Sequence, residues 1–217
     1  MFSQAFGLFV LYSLLGTLVE TAWALLRTGR LQSRKTLLWL PLCPVYGFGA
    51  LAILGLVSLT QKAPLTIALA GVVGGGGVEY LYAWACETWL GVRLWDYGTG
   101  PFSLHGRVHA LFCLAWALLA MALFFVHPAA VRLTAALPEG WAWAALPLVA
   151  ADAICTSLAL YRFGHGTGPA VLPFAQRRQP VTANLRRGFG KSEASVRDPA
   201  ARAHRSRSTA SNRGHIR

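Results

Sequence analysis

The sequence has 217 residues, of which 55% are hydrophobic and only 13% are charged. Soluble domains contain about 25% charged residues, so this composition indicates a membrane protein. The formal net charge is +12, but residues 162–217 hold 12 of the 20 Lys and Arg against two acids. We therefore do not expect a nucleic-acid-binding domain. Four widely spaced cysteines in apolar runs exclude a disulfide-rich scaffold and offer no zinc pair.

Five apolar segments are long enough for helices that cross a hydrocarbon core of about 30 Å. They are residues 5–26, 42–60, 65–90, 108–126 and 141–161. We predict an all-α, polytopic transmembrane helical bundle over residues 1–161 and a disordered, basic cytoplasmic tail over residues 162–217. The first segment contains Glu20 and has no preceding Lys or Arg, so we expect a mature helix rather than a signal peptide.

The placement of basic residues predicts how the bundle is oriented. Basic loops stay on the cytoplasmic side of a membrane. The loops after the first and third segments and the tail are basic, whereas the second and fourth loops are nearly free of Lys and Arg. We expect a multi-pass protein of the inner (plasma) membrane with the N-terminus outside and the C-terminus in the cytoplasm. The basic loop residues are Arg27, Arg30, Arg34, Lys35, Arg93 and Arg107.

The sequence shows a possible internal repeat with a period of 59 residues. The aligned pairs are Gly16 with Gly75, Val19 with Val78, Glu20 with Glu79, Arg34 with Arg93 and Gly47 with Gly106. The shift passes an even number of crossings, so a duplicated helical hairpin would give a parallel repeat about an axis along the membrane normal. Two unrelated hairpins that obey the same membrane rules are the alternative.

Three acidic residues fall inside predicted helices. Glu20 and Glu79 occupy repeat-related positions, and Asp152 lies at the centre of the fifth segment. A charged residue at the centre of a membrane helix costs at least about 2.5 kcal/mol, so we expect all three to face the bundle interior. Each is either paired, hydrated or protonated there. The sequence leaves two roles open, a ligand, ion or proton site and a polar group that joins helices.

Glycine and proline mark the irregular parts of the bundle. Glycines 74–77 precede Glu79 and favour close helix packing or local unwinding around a ligand. The segments 40–49 and 95–109 combine Pro with Gly and predict irregular re-entrant or turn segments at the cytoplasmic face. We expect Asp96 and Arg107 to form an ion pair across the second segment.

Other polar residues near the third and fourth helices carry weaker predictions. Glu87 is positioned to pair with Arg93 or Arg107. Trp95 and Tyr97 are either interfacial aromatic residues or part of a site. His105 and His109 are four residues apart, but with no third ligand nearby we expect no metal. No catalytic triad or metalloprotease motif occurs, so no catalytic residue and no cofactor are assigned.

Four strings resemble the bacterial ABC-transporter type IV (CmpB-type) membrane protein family over about residues 8–125. They are LYSLLGTLVE, LCPVYGFGAL, EYLYAWACETWLGVRLWDYG and PFSLHGRVHALFCLAWALLA. The resemblance implies an ABC transporter permease, the membrane component of a transport system. The positions that match the family pattern are Gly16, Glu20, Cys43, Pro44, Tyr46, Gly47, Gly49, Glu79, Glu87, Trp95, Asp96, Tyr97, Pro101, Phe102, Gly106, Arg107 and Trp116.

The leading hypothesis is a transport component with a polar site between the two hairpins. Glu20 and Glu79 would bind a cation, a protonated amine or coupling protons, and Arg107, Asp96 and Tyr46 would gate the cytoplasmic mouth. The secondary candidates are Glu87, Tyr97, Trp95 and Asp152. The expected partners are the lipid bilayer, a second copy of the chain or a separate ATPase subunit, and an unknown small-molecule or ion substrate.

Two other function classes fit the sequence. An intramembrane enzyme could use Glu20 and Glu79 as acid and base on a lipid-linked substrate, with Arg107 holding a phosphate. A membrane anchor or scaffold could instead serve the basic tail. Turnover of a lipid extract without ATP favours the enzyme, co-purification with a nucleotide-binding subunit favours transport, and complete loss of function on deletion of residues 165–217 favours the anchor.

Overall fold

A computed structural model describes residues 2–28, 36–138, 140–167 and 179–180, and these form a helical bundle. Its five helices confirm the predicted all-α class. Four of them are long and apolar enough to cross a membrane, whereas the second has only 15 residues. The helices are α1 (Phe2–Thr28), α2 (Pro44–Ser58), α3 (Pro64–Leu90), α4 (Ala110–Ala135) and α5 (Trp141–Gly164).

The helix boundaries follow from proline and glycine. Pro44 and Pro64 stand in the first turn of α2 and α3, where a missing N–H costs nothing. Gly91 ends α3 with a φ of 66°, the left-handed conformation of a helix C-cap. α4 runs past Pro128 to Ala135 instead of ending near residue 126. A proline removes only one backbone donor and does not always stop a helix, which the sequence reading did not allow for.

Glycines let α3 approach α4 closely. Gly71–Gly75 form a π-helical turn inside α3, which stays continuous on both sides. A Cβ at Gly71 would lie 2.8 Å from Cα of Ala117, and a Cβ at Gly75 would overlap the indole ring of Trp116. The glycine run therefore serves close packing, one of the two roles that the sequence left open.

Glycines also let α1 and α2 pack closely against each other. A Cβ at Gly16 would overlap the Tyr46 side chain, and one at Gly47 would lie 2.6 Å from the Phe9 ring. Gly49 in turn leaves room for Trp116, whose ring would be 2.7 Å from an added Cβ. Small residues on α2 thus bring its backbone against α1 and α4, and the Tyr46 and Trp116 rings pack with centroids 5.2 Å apart.

The chain before α2 is non-helical and lies level with the middle of two long helices. In this segment, residues 36–43, the Cys43 N–H donates to the carbonyl of Ser13, near the middle of α1. The N–H groups of residues 38–40 donate to Asp152, near the middle of α5. At 1.5 Å per residue, α2 alone is about 22 Å long, which is less than the thickness of a hydrocarbon core of about 30 Å. The predicted irregular segment, residues 40–49, is thus irregular only as far as Cys43, because α2 begins at Pro44.

A compact connection links α3 to α4 over residues 91–109. It contains the two-residue strands β1 (Val92–Arg93), β2 (Ser103–Leu104) and β3 (Val108–His109). β2 and β3 pair as an antiparallel hairpin, and β1 pairs antiparallel with β4 (Gln179–Pro180). His105 and Gly106 have φ values of 55° and 72°, the signs expected for the tight turn that joins two hairpin strands.

Candidate functional site

Glu79 is the most deeply buried carboxylate of α3, with only 2% of its surface exposed. Its Oε1 accepts a 2.6 Å hydrogen bond from the Tyr97 hydroxyl. Its Oε2 accepts a 2.9 Å hydrogen bond from the Trp116 indole N–H. The donors come from the 91–109 connection and from α4, so three parts of the chain meet at one carboxylate.

Glu20, on α1, is linked to this carboxylate through Tyr46 and Trp116. Its Oε1 accepts a 2.9 Å hydrogen bond from the Tyr46 hydroxyl, and the Tyr46 ring packs on Trp116. The pKa of the Tyr97 phenol is raised, and burial is the largest cause. The charge of Glu79 and its hydrogen bond raise this pKa further, and the charge of Glu20 adds to the effect. We call Glu20, Tyr46, Glu79, Tyr97 and Trp116 the carboxylate cluster.

Aromatic rings continue the wall of the carboxylate cluster. Phe112 stacks on Tyr97 with ring centroids 4.5 Å apart. Trp23 makes an edge contact with Phe112 at 6.4 Å. The cluster thus combines two carboxylates with the O–H and N–H edges of aromatic side chains whose rings pack on one another.

The local geometry around the two glutamates repeats. In each case a glycine precedes the glutamate by four residues, which is one helical turn, and an aromatic ring from the following helix lies on that glycine. The same aromatic residue donates to the glutamate: Tyr46 to Glu20 and Trp116 to Glu79. The shift of 59 aligned the glycines and the glutamates but not the aromatic donors.

A second group of polar residues surrounds Glu87 near the end of α3. Arg107 donates from Nε and Nη2 to Oε2 of Glu87, at 3.0 and 2.8 Å. Arg93 lies 3.1 Å from Oε1 of Glu87 and also pairs with Asp96 at 3.0 Å. The predicted ion pair between Asp96 and Arg107 is therefore wrong, whereas Glu87 pairs with both arginines that were considered for it. We call Glu87, Arg93, Asp96 and Arg107 the ion-pair cluster.

The hairpin turn explains why Arg107 faces Glu87. At Gly106 an added Cβ would lie 2.6 Å from Oδ1 of Asp96, so Asp96 packs against the turn itself. Arg107 also donates to the Tyr80 hydroxyl at 3.1 Å, and its guanidinium carbon lies 5.4 Å from the centre of the Tyr80 ring. Burial acts to lower the pKa of Arg107, but its hydrogen bonds to Glu87 and Tyr80 outweigh this effect and the pKa is raised.

Trp95 and the two histidines have separate local roles. The Trp95 indole N–H donates to the backbone carbonyl of Arg107 at 2.7 Å. His105 Nδ1 contacts the Tyr80 hydroxyl at 3.1 Å, and His109 Nδ1 accepts from the N–H of Leu111 at the start of α4. Among the residues that the structure describes, no three His, Cys, Asp or Glu side chains are grouped as a metal site.

The structure separates the sequence candidates into three places. Glu20, Glu79, Tyr46 and Tyr97 meet in the carboxylate cluster. Tyr46 thus lies with the glutamates rather than with Arg107 and Asp96, which belong with Glu87 to the ion-pair cluster next to Trp95. Asp152 binds the segment 36–43 instead.

The structure adds Trp116 to the site. Sequence reasoning counted it among the residues that match the family pattern but gave it no site role. It is 37 residues from Glu79 and looks like any tryptophan of a membrane helix. The only signal in the sequence was the glycine run of α3. Such a run indicates that a large side chain from another helix packs there, but it does not say which one.

Comparison with known proteins identifies the family. The family described as "Putative ABC-transporter type IV" matches residues 7–158. The match covers more than two thirds of the chain. It extends over most of α5, whereas the resemblance of the four strings ended at about residue 125. It includes the carboxylate cluster, the ion-pair cluster and Asp152. No curated protein and no solved structure matches the chain. The chain belongs to the ABC-transporter type IV family and is a multi-pass membrane protein of this transport-related family.

Proposed function

We propose that this protein is the membrane component, or permease, of a transport system and that the carboxylate cluster is its cation-binding site. The observation that carries the proposal is the burial of Glu79 within a set of directed hydrogen bonds: Tyr97 and Trp116 donate to Glu79, and Tyr46 donates to Glu20. Two carboxyl groups held by such donors among apolar helices supply acceptor oxygens for a positive ligand.

The chemistry of the wall favours an ammonium group over a hard inorganic cation. Inorganic cations such as Ca²⁺ require six or more oxygen ligands, whereas ammonium groups are attracted to aromatic faces and accept fewer, directional partners. Tyr46, Tyr97 and Trp116 present rings to the cluster, and Glu20 and Glu79 present the counter-charge. The proposed ligand class is therefore a protonated amine, and coupling protons are the simpler alternative at the same carboxylates.

The ion-pair cluster is proposed to gate this site. Asp96 directly precedes Tyr97, and Arg93 and Arg107 tie the same connection to Glu87 on α3. These ion pairs hold Tyr97 over Glu79. Release of the connection would remove one hydrogen-bond donor from Glu79 and open the site towards the proposed cytoplasmic face.

The enzyme hypothesis has less support from the contacts of Arg107. A phosphate group would need free donors, but Nε and Nη2 bind Glu87 and Nη1 binds Tyr80. These contacts use three of the five guanidinium N–H groups, so a phosphate that needs the paired Nε and Nη2 donors would have to displace the Glu87 carboxylate. The transport hypothesis needs no such exchange, because in it Arg107 braces the connection.

We expect the protein to work with further chains. Its helices expose many large apolar side chains, among them Leu118 at 73% and Phe125 at 74%. These surfaces fit lipid tails or a second copy. A separate ATPase subunit would supply the energy, and the basic loops favour an outside N-terminus and a cytoplasmic C-terminus in the inner membrane.

A binding experiment tests the proposal. The purified protein in lipid nanodiscs is heated with methylammonium, tetramethylammonium, sodium or potassium, and the unfolding midpoint is recorded. Methylammonium should raise the midpoint more than sodium or potassium does, because a ligand that binds only the folded state stabilises it. The double variant Glu20→Gln and Glu79→Gln should lose this response, whereas Glu193→Gln in the C-terminal segment should keep it. Binding that survives the double substitution would end the proposal.

A further inference from the structure

Asp152 is a buried acid that the proposed binding site does not use. Only 2% of its surface is exposed. Its carboxylate accepts the backbone N–H groups of three consecutive residues, Leu38 at 3.1 Å, Trp39 at 3.2 Å and Leu40 at 2.7 Å. The Thr156 hydroxyl donates to the same carboxylate at 3.2 Å and accepts from the N–H of Leu38 at 3.0 Å.

These hydrogen bonds explain how non-helical backbone persists between apolar helices. An unsatisfied N–H group in hydrocarbon costs several kcal/mol, so irregular backbone at this depth needs partners from the protein. Successive N–H groups that converge on one oxyanion form a nest, which stabilises the negative charge in return. Asp152 and the segment 36–43 therefore satisfy each other.

The segment is held equally firmly on its other side by α1. Thr17 Oγ1 donates to the carbonyl of Pro41 at 2.6 Å, and the Cys43 N–H donates to the carbonyl of Ser13 at 3.1 Å. The next residue, Pro44, begins α2. Bonds to α1 and α5 thus fix where α2 starts and how it is rotated about its axis.

The start of α2 determines the position of Tyr46 in the carboxylate cluster. Tyr46 is the third residue of α2, its ring lies on Gly16, and its hydroxyl reaches Glu20 at 2.9 Å. A shift of α2 by one residue would turn this hydroxyl by about 100° around the helix, away from Glu20. Asp152 therefore acts on the site through the segment and Tyr46.

We propose that Asp152 is a positioning residue of the carboxylate cluster: by binding the backbone of residues 38–40 it fixes the start of α2 and holds the Tyr46 hydroxyl on Glu20. This inference rests on the proposed function only in that it gives the Tyr46–Glu20 contact a purpose. The contact and its dependence on Asp152 can be measured without any transport assay.

A double-mutant cycle tests the proposal on the folded protein in nanodiscs. The probe is dicyclohexylcarbodiimide, an apolar reagent that adds to protonated carboxyl groups, and mass spectrometry gives its rate of addition to Glu20. Tyr46→Phe removes the hydroxyl that holds Oε1 of Glu20, so the reagent no longer has to displace this hydrogen bond and we expect the rate to rise about tenfold. Asp152→Asn should raise it similarly, because an amide cannot replace both acceptor oxygens.

The combination of substitutions gives the deciding result. If Asp152 acts through Tyr46, the double variant Asp152→Asn and Tyr46→Phe reacts no faster than Tyr46→Phe alone. Ser157→Ala, which removes an exposed hydroxyl of α5 bonded only to its own helix, should leave the rate unchanged. Rates that multiply in the double variant, or an unchanged rate in Asp152→Asn, overturn the proposal.

A milder variant covers the case in which Asp152→Asn does not fold. Thr156→Val removes one acceptor for Leu38 and leaves the carboxylate in place, so we expect a smaller rise that also disappears in the Tyr46→Phe background. If Thr156→Val still raises the reaction rate of Glu20 in the Tyr46→Phe background, that result counts against the proposal. If methylammonium does not bind, the proposed function is wrong but the double-mutant cycle still tests the role of Asp152. If the effects of Asp152→Asn and Tyr46→Phe are independent, only the role of Asp152 is wrong.

Discussion

Alanine at position 75 tests the packing that places Trp116 on Glu79. A Cβ at Gly75 would overlap Cδ2 and Cε3 of the indole ring and lie 2.7 Å from Cγ, where ordinary contacts are 3.4–4 Å. The Trp116 ring cannot move freely to relieve this overlap. Its N–H is bonded to Glu79, one face packs on Tyr46, and Gly49 of α2 approaches its other edge.

The expected cost is the sum of three effects. Overpacking of a tight site costs about 1–3 kcal/mol. Movement of the indole weakens its hydrogen bond to Glu79, and a bond to a charged group contributes about 1.5–3 kcal/mol. Replacement of a helical glycine by alanine returns about 1 kcal/mol. We therefore expect Gly75→Ala to lower the free energy of unfolding by roughly 1.5–5 kcal/mol.

Gly77 offers a matched control two residues further along α3. No atom lies within 4 Å of a Cβ built there, so Gly77→Ala receives the helix benefit without the clash. The unfolding free energies of both variants are measured by circular dichroism in micelles with increasing denaturant. Gly77→Ala should equal or exceed the parent protein. If Gly75→Ala is as stable as Gly77→Ala, the close approach of α3 to Trp116 is not what holds this site together.

Three further substitutions test individual contacts. Trp116→Phe keeps the apolar ring but removes the donor to the buried carboxylate, so it should destabilise the protein by about 1.5–3 kcal/mol, whereas Trp143→Phe at a site that is 65% exposed should change little. The raised pKa of Tyr97 keeps its phenol protonated in the folded state after the unfolded chain has ionised. Stability should therefore fall as the pH rises above about 10, and Tyr97→Phe should reduce that fall in unfolding measurements across the alkaline range. Arg107→Lys loses the paired donors to Glu87 and should speed proteolysis of the connection, an effect that should be absent if the pair is only a surface contact.

The fold was predictable because long apolar runs have few solutions in a bilayer. Hydropathy located all five helices and set the all-α class. It placed the second helix at residues 42–60, two residues too long at each end, and it gave no reason why the apolar residues before Pro44 should be held in a non-helical conformation. The distinguishing partner is Asp152, which lies far away in the sequence, and a long-range hydrogen bond leaves no local pattern.

The candidate site was predictable in its charges but not in its contacts. The cost of burying Glu20 and Glu79 required them to face the interior, and the structure places each on a tyrosine hydroxyl, Glu20 on Tyr46 and Glu79 on Tyr97. The partner of Arg107 was not predictable, since the hairpin turn at Gly106 directs its side chain towards Glu87 and folds Asp96 against the turn. Charge complementarity favoured the nearer acid, Asp96, over Glu87, which is 20 residues from Arg107.

The acids differ in what a ligand would have to displace, and this difference points to the carboxylate cluster. Binding at Glu87 would break contacts with two guanidinium groups, and binding at Asp152 would release three backbone N–H groups into an apolar setting. At Glu79 and Glu20 a cation could replace the Tyr97 or Tyr46 hydroxyl, and one hydrogen bond to a charged group contributes about 1.5–3 kcal/mol. Replacing one hydroxyl therefore costs less than displacing two guanidinium groups or three backbone N–H groups. Exchange is therefore least costly where two carboxylates already share aromatic neighbours.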